Sequence, residues 1–298
     1  MEEVLLVRYG ELALKSPPVR AQFERQLKNN LLDAFLQAGL DCALSSDRGH
    51  LYVSTSRPEE GVKVIRRTFG VVSVSRACVL KTSLDGILRA VVETFQEPLA
   101  HPHRFAVRSR RTGSHAFTSQ ELAARVGEEI LRAFPHSGLV VDLEEPDLEI
   151  FVEVRGPTTY LYMSRMPGPG GLPLGVAGNV GAVVDGLRGA LGAFLLMKRG
   201  CRAHVAAVGE GWDLSREVLS RFDPHLVVQS APDAPGAWDL VRSWAESKPL
   251  EGVSLPLDVD DYGPARDFWG ETVVFSPTVG LSEQEVHEQW LAVVELTR

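Results

Sequence analysis

Apolar residues recur every three or four positions along residues 19–38, where Phe23, Leu27, Leu31, Phe35 and Ala38 share one side. That spacing predicts an amphipathic helix, and Gly39 supplies its stop. On either side the pattern changes to short apolar or alternating runs. EVLLVR (3–8) predicts a strand, as do residues 41–45 and 50–54. Residues 59–68 predict a second helix, and VVSVSRACV (71–79) a further strand. The resulting order, β-α-β-β-α-β, is the ferredoxin-like pattern.

A second α/β stretch follows. Residues 84–96 predict a helix, and RFAVRSRR (104–111) alternates as a strand. TSQELAARVGEEILRAF (118–134) opens with Thr118 and Glu121 in capping-box spacing and predicts another helix. Strands are expected near 139–143, 147–154 and 158–163. MPGPGGLPLGVAGN (166–179) is dense in Gly and Pro and reads as a linker. Beyond it, VGAVV, AHVAAV, LVVQS, VSLPL and TVVF interleave with GLRGALGAFLLMK, DLSREVLSRF, GAWDLVRSWAES and SEQEVHEQWLAVVE. Strands alternating with helices predict a parallel sheet covered on both faces. The fold class is therefore α/β. The expected organisation is a ferredoxin-like domain at 1–76, a second α/β domain at 77–165, a linker at 166–179 and a Rossmann-like parallel-sheet domain at 180–298.

The length of 298 residues suits two or three such domains. Charge changes the picture more than length does. Residues 1–175 hold 21 Lys+Arg and 21 Asp+Glu, whereas 176–298 hold 10 and 18. The whole net charge of −8 thus belongs to the last part, so an RNA-binding role falls mainly to the first. The acidic surplus suits a basic protein partner. No apolar run is long enough for a membrane helix, and MEEVLLVRYGELALK begins with acids, unlike a secretory leader. The expectation is a cytoplasmic protein with no membrane partner. Cys42, Cys78 and Cys201 lie far apart with no CxxC pair, which predicts three reduced thiols and no zinc site.

Two basic surfaces are candidates for phosphate contact. On a strand over 104–111, Arg104, Arg108 and Arg110 share a face and Arg111 lies opposite, with Phe105 and Val107 turned to the core. Three guanidinium groups on one face suit a phosphate backbone, and the competing reading pairs them with acids of the neighbouring segment. Lys15, Arg20 and Arg25, near Tyr9, form a weaker second surface where Pro17-Pro18 leads into a helix. A third candidate is the turn VDGLRGA (184–190), where a strand runs into a helix through Asp185, Gly186, Leu187, Arg188 and Gly189. Glycine-rich turns of this kind cradle phosphates. HEQWL (287–291) lacks a second His and reads as a surface helix capped by Ser282 and Glu285. LDVDDY (257–262) reads as an acidic loop rather than a cation site, and His101 and His103 as a plain turn.

Three stretches in order resemble a known family. They are VRYGELALKS…RAQFERQLKNN (7–30), FAVRSRRTGSHAFTSQELAARVGEEI (105–130) with PDLEIFVEVRGPTTYLYMSRMPGPGGLPLG (146–175), and FLLMKRGC (194–201). Together they are similar to ThiI, the tRNA sulfurtransferase that makes 4-thiouridine. The likeness thins over 202–268 and returns in VVFSPTVGLSEQEVHEQW (273–290). It implies an N-terminal ferredoxin-like domain, a THUMP domain, and a PP-loop domain of the ATP-pyrophosphatase type. It implies tRNA as partner, held through the first two domains, and a homodimer.

Active members of that family read SGGxDS at the PP-loop, where ATP is bound for adenylation. Here the turn is one residue shorter. Asp185-Gly186-Leu187 stands at Ser-Gly-Gly in one register and Val184-Asp185-Gly186 in the other. Neither keeps the glycine pair, and the family's Asp-Ser becomes Gly-Ala or Arg-Gly. Asp185 would repel a phosphate and Leu187 would crowd it, with Arg188 compensating in part. Leu187, Leu191, Phe194 and Leu195 keep core-facing spacing. The chain also stops at LAVVELTR, before the segment that carries the family's sulfur-transfer Cys. The expectation is a tRNA-binding protein with a degenerate PP-loop, no catalytic residue and no cofactor. One alternative is a thiolating enzyme with a variant ATP loop and a separate sulfur donor. Another is a protein-interaction scaffold that does not bind RNA.

Overall fold

The computed structural model describes residues 2–10, 16–47, 49–209, 212–247 and 249–298. The chain begins with β1 (Glu2–Tyr9), α1 (Pro17–Gln37), β2 (Ala43–Asp47), β3 (His50–Ser54), α2 (Pro58–Ile65) and β4 (Val71–Lys81). There follow α3 (Leu84–Thr94), α4 (Gln96–Leu99), β5 (Arg104–Thr112), α5 (Ser119–Ala133), β6 (Val140–Val141), β7 (Leu148–Arg155), β8 (Thr158–Tyr162) and β9 (Met166–Pro167). The rest is β10 (Asn179–Val184), α6 (Leu187–Lys198), β11 (Arg202–Val208), α7 (Asp213–Ser220), β12 (Val227–Ala231), α8 (Ala234–Ser247), β13 (Gly252–Ser254), α9 (Tyr262–Trp269), β14 (Val274–Phe275) and α10 (Glu283–Glu295).

Most elements form where the apolar spacing puts them. Leu27, Leu31 and Phe35 are the buried side of α1. Its end is a Schellman turn: Gly39 sits at φ +64°, and the Leu40 N–H returns 2.9 Å to the Phe35 carbonyl. α5 and α10 both carry complete capping boxes, Thr118 with Glu121 and Ser282 with Glu285. α9 has no counterpart in the sequence reading. It opens Tyr-Gly-Pro, and Pro is tolerated in a first helical turn, so the punctuation that suggested a loop marks a helix start instead. Among the described residues no helix is long and apolar enough to cross a membrane.

Two sheets organise these elements. The first runs in the order β2-β3-β1-β4-β8-β7-β5-β6, with β9 also paired to β4. The second runs β12-β11-β10-β13-β14, and all its pairings are parallel. That is a doubly wound order, with its reversal at β10. β4 continues unbroken through residues 76 and 77, so no linker marks the boundary expected there.

The chain divides into two compact units. One comprises Met1–Leu6, Tyr52–Pro58 and Ser75–Met166. Its main core gathers Phe105, Ile150, Val152, Val154 and Leu161 with Leu122, Val126 and Ile130 of α5 and Ile87 and Val91 of α3. A smaller cluster holds Val4, Leu6, Tyr52, Ala77, Phe151 and Tyr162. The other unit comprises Val7–Leu51, Glu59–Val74 and Pro167–Arg298. Its core includes Phe69, Phe194 and Phe222, whose rings lie 5.1–5.4 Å apart. Burying each Leu or Phe contributes roughly 1.5–3 kcal/mol.

The Gly/Pro-rich segment within 166–179 is more than a tether. Gly70 N–H reaches the Gly170 carbonyl at 2.8 Å, Leu172 N–H that of Lys198 at 2.9 Å, and Gly175 N–H that of Gly200 at 2.8 Å. Gly171 is required at its position: a Cβ there would lie 2.1 Å from the Lys198 carbonyl oxygen. The glycines permit close backbone packing.

Candidate nucleic-acid interface

β5 and β7 pair in parallel, setting Arg108 beside Phe151 and Arg110 beside Glu153. Antiparallel pairing to β8 then brings Tyr162 beside Phe151. Alternation puts Glu149, Phe151 and Glu153 on one face of β7, while Ile150, Val152 and Val154 enter the core. A cavity of about 660 Å³ opens there, lined by Arg108, Arg110, Phe151, Tyr162 and Arg165 among others. The start of α5 contributes Ser119 and Gln120.

The cations in and around this groove differ in how far they are already neutralised, with Arg104 and Arg111 outside its lining. Arg104 pairs with Asp147 at 3.0 Å and Asp142 at 3.4 Å. The hydrogen bond from Arg104 holds the Asp147 carboxyl below its ordinary pKa. Backbone N–H groups of Glu145 and Glu144, and then Arg104, do the same for Asp142. Arg108 Nε donates to Glu149 at 2.7 Å, and Nη2 to the Leu143 carbonyl at 2.9 Å. Arg111 lies on the other face and donates to the Gly113 carbonyl. Arg110 is exposed and has no ion-pair or hydrogen-bond partner among the described residues. Of the two readings of this face, pairing with acids of the neighbouring segment describes Arg104 and Arg108 but not Arg110. Acids of the DLEEPDLE segment take up Arg104 and Arg108, because β6 and the start of β7 bring that segment alongside β5.

Arg165 was not legible as a site residue. It is exposed, and its guanidinium lies 4.2 Å from the Phe151 ring centroid. Its Nη2 donates to the Tyr162 hydroxyl at 3.2 Å, and Tyr162 donates to Glu153 at 3.2 Å. Phe151 and Tyr162 stack at 4.9 Å with 10° between planes. A cation over an aromatic face gains about 0.5–2 kcal/mol. No carboxylate pairs with Arg165 among the described residues. The groove thus offers two uncommitted charges, Arg110 and Arg165, and an Arg plane on which a planar ring can stack. Only the pairing of β8 with β7 joins Arg165 to Phe151, so spacing along the chain gave no signal.

The second basic surface is mostly self-satisfied. Arg20 Nε and the Tyr9 hydroxyl both donate to Glu24, at 2.9 and 2.6 Å. Burial and the Glu24 bond push the Tyr9 hydroxyl up to about 12. Burial works against the Glu24 charge, but the bonds from Tyr9 and Arg20 outweigh it and hold that carboxyl low. Arg25 is exposed on α1. Lys15 lies outside the described residues.

The turn at 184–190 sits where β10 meets α6, at the carboxyl end of the parallel sheet and its reversal point, the usual ligand end of such sheets. Asp185 is exposed, yet surrounding protein displaces enough water to push its carboxyl pKa up. Gly189 is packed tight: a Cβ would lie 2.6 Å from the Val183 carbonyl oxygen. Leu187 does not face the core but is 37% exposed, because it is the first helical residue and Ala190, Leu191 and Phe194 form the buried side. Arg188 does not serve as a free cation in the turn. Its side chain is 14% exposed and donates to the Thr278 carbonyl at 2.9 Å, the Leu281 carbonyl at 2.8 Å and Glu283 at 2.6 Å. Asp258 stands 3.8 Å away.

The remaining candidates are quiet. Cys201 is buried against the Ala177 carbonyl, and burial, then Glu251, raises its thiol pKa. All three cysteines are free thiols. The described residues contain no His/Cys/Asp/Glu cluster able to hold a metal.

The fold and groove define a class: a ferredoxin-like module and a THUMP module, followed by a doubly wound parallel sheet. The ThiI ferredoxin-like domain matches residues 4–75, and the THUMP domain matches residues 81–164. The chain belongs to the ThiI family through these domains. It is 38% identical over 205 residues to a probable tRNA sulfurtransferase of Methanobrevibacter smithii, covering 67% of this chain and 52% of that protein. The chain spans about half the length of the curated relatives it matches. Its fold superposes on PH1313 of Pyrococcus horikoshii with a TM-score of 0.78 at 29% identity, over 98% of this chain and all of that one. It also shares the fold of a 4-thiouridine synthetase solved with RNA and bound ATP, with a TM-score of 0.75 at 18% identity, over 100% and 86% of the two chains.

Proposed function

We propose that this protein binds tRNA through its THUMP groove and carries out neither adenylation nor thiolation. The observation that carries the reading is the pair of unneutralised guanidinium groups, Arg110 and Arg165, beside the Phe151–Tyr162 stack. Phosphates take such charges, and unpaired bases stack on guanidinium planes. The family relatives are named for a tRNA reaction, which makes tRNA the RNA of choice. Arg104 and Arg108 sit at the rim, where a phosphate must compete with Asp147 and Glu149. A tRNA partner implies a cytoplasmic protein. A homodimer follows from the family resemblance, and sedimentation of the purified chain tests it.

The turn at 184–190 supports the second half of the proposal. Asp185 sets a carboxylate where a nucleotide would need donors, and Arg188 is consumed by Thr278, Leu281 and Glu283. Calorimetry with ATP, with and without tRNA, is the test. Clear tRNA binding and no heat from ATP is the expected result. ATP binding at micromolar strength, about −8 kcal/mol, would overturn the non-catalytic reading and favour an enzyme with a variant loop.

A further inference from the structure

We infer that Arg66, Arg67 and Arg221 form a phosphate-binding site that takes a phosphodiester of the tRNA. This inference rests on the tRNA-binding reading above, but it concerns a different surface. Arg66 and Arg67 follow the last turn of α2, and Arg221 caps α7. Arg67 Nη2 and Arg221 Nη1 each donate to the same acceptor, the Thr297 carbonyl oxygen, at 3.0 Å. One neutral oxygen therefore holds two cations together. Arg66 adds a third, tethered only by Nε to the Pro167 carbonyl at 3.2 Å.

These charges are not balanced within the protein. Arg221 has Glu217, itself 62% exposed. Arg66 and Arg67 have no carboxylate partner among the described residues. Arg67 Nε is buried without a hydrogen-bond partner. Burial, then Arg221 and Arg66, pulls the Arg67 pKa below its usual value, as expected for clustered like charges. The cluster stands out because residues 176–298, which supply Arg221 and Thr297, are acidic overall. Two guanidinium forks on one carbonyl, with Arg66 near enough for its charge to be felt by Arg67, suit an oxyanion such as a phosphodiester, whose single charge is spread over two acceptor oxygens. Arg66 has both terminal nitrogens unbonded among the described residues and is the most available arm. A phosphodiester supplies the missing charge without entering the core.

The experiment compares wild type with Arg66→Gln and with Arg66→Gln/Arg221→Gln in tRNA binding at stepped KCl concentrations. The expected result is a several-fold weaker affinity and a salt slope that falls by about one per lost contact. Thermal midpoints check the fold, and Arg66→Gln alone suffices because its side chain anchors only one carbonyl. Unchanged affinity and slope in folded variants would overturn the site while leaving the groove reading intact. Should wild type bind no tRNA, the parent reading fails, and inorganic phosphate decides the site. A phosphate-dependent rise in midpoint that is lost in the double variant supports it, and no rise in wild type overturns it.

Discussion

The THUMP groove and the carboxyl end of the parallel sheet both carry arginines near a strand end, yet they differ in how those charges are spent. In the groove, Arg110 and Arg165 face open space, and their charge meets solvent and an aromatic ring. At the sheet end, Arg188 is drawn into three hydrogen bonds and lies 14% exposed. Around it stand Asp258 and Glu283. A guanidinium whose two terminal nitrogens are both bonded within the protein has little to offer a ligand, whatever its position in a motif. The comparison separates charges that build the fold from charges left open to solvent.

Replacing Arg110 and Arg165 together by Ala should break the comparison most visibly. tRNA affinity should fall by roughly 10- to 100-fold, with the salt slope lower by about two. Arg104→Ala/Arg108→Ala should weaken binding far less, because those side chains already hold carboxylates. Filter binding across a salt series reads both, and the reverse ranking would refute the assignment of committed and free charge.

Arg188→Ala should act on stability instead. Loss of its bonds to Thr278, Leu281 and Glu283 should cost about 1–3 kcal/mol in urea unfolding and leave tRNA affinity unchanged. It should not create ATP binding. Nucleotide binding gained by this variant would mean that Arg188 closes a competent site.

The smallest effect concerns pH. Tyr9 has its folded pKa raised to about 12 from 10.0, so its stabilising share is full below pH 10 and is lost as pH climbs toward 12. Glu24 has its pKa lowered from 4.5, so its share is full above that value and is lost as pH falls through the lowered one. Urea midpoints should therefore decline on both sides of a flat neutral range. Tyr9→Phe should flatten the alkaline limb between pH 10 and 12, and an unaltered limb would show that the Tyr9–Glu24 bond contributes nothing there.

Much of the secondary structure was legible because it depends on local spacing. α1 follows from Leu27, Leu31 and Phe35, and α5 from a capping box four residues long. The parallel sheet followed from the alternation of strands and helices. α9 escaped because its helix start carries Gly and Pro, residues that also end helices. The Arg-rich strand was found, but its faces could not be priced from sequence, since Asp147 and Glu149 lie about forty residues away and arrive only through β7.

By itself, the sequence determined most of the elements, the order of the modules, the family and the acidic bias of the last part. Tertiary structure alone decided which cations remain available. Strand pairing brought acids to Arg104 and Arg108 and set Arg165 over Phe151, while packing of the helix ends and loops tied Arg188 to the loop before α10 and gathered Arg67 with Arg221 on one carbonyl. The physical reason is range. Helix and strand propensity act over a few residues, whereas neutralising a charge depends on which distant group the fold brings within about 3 Å.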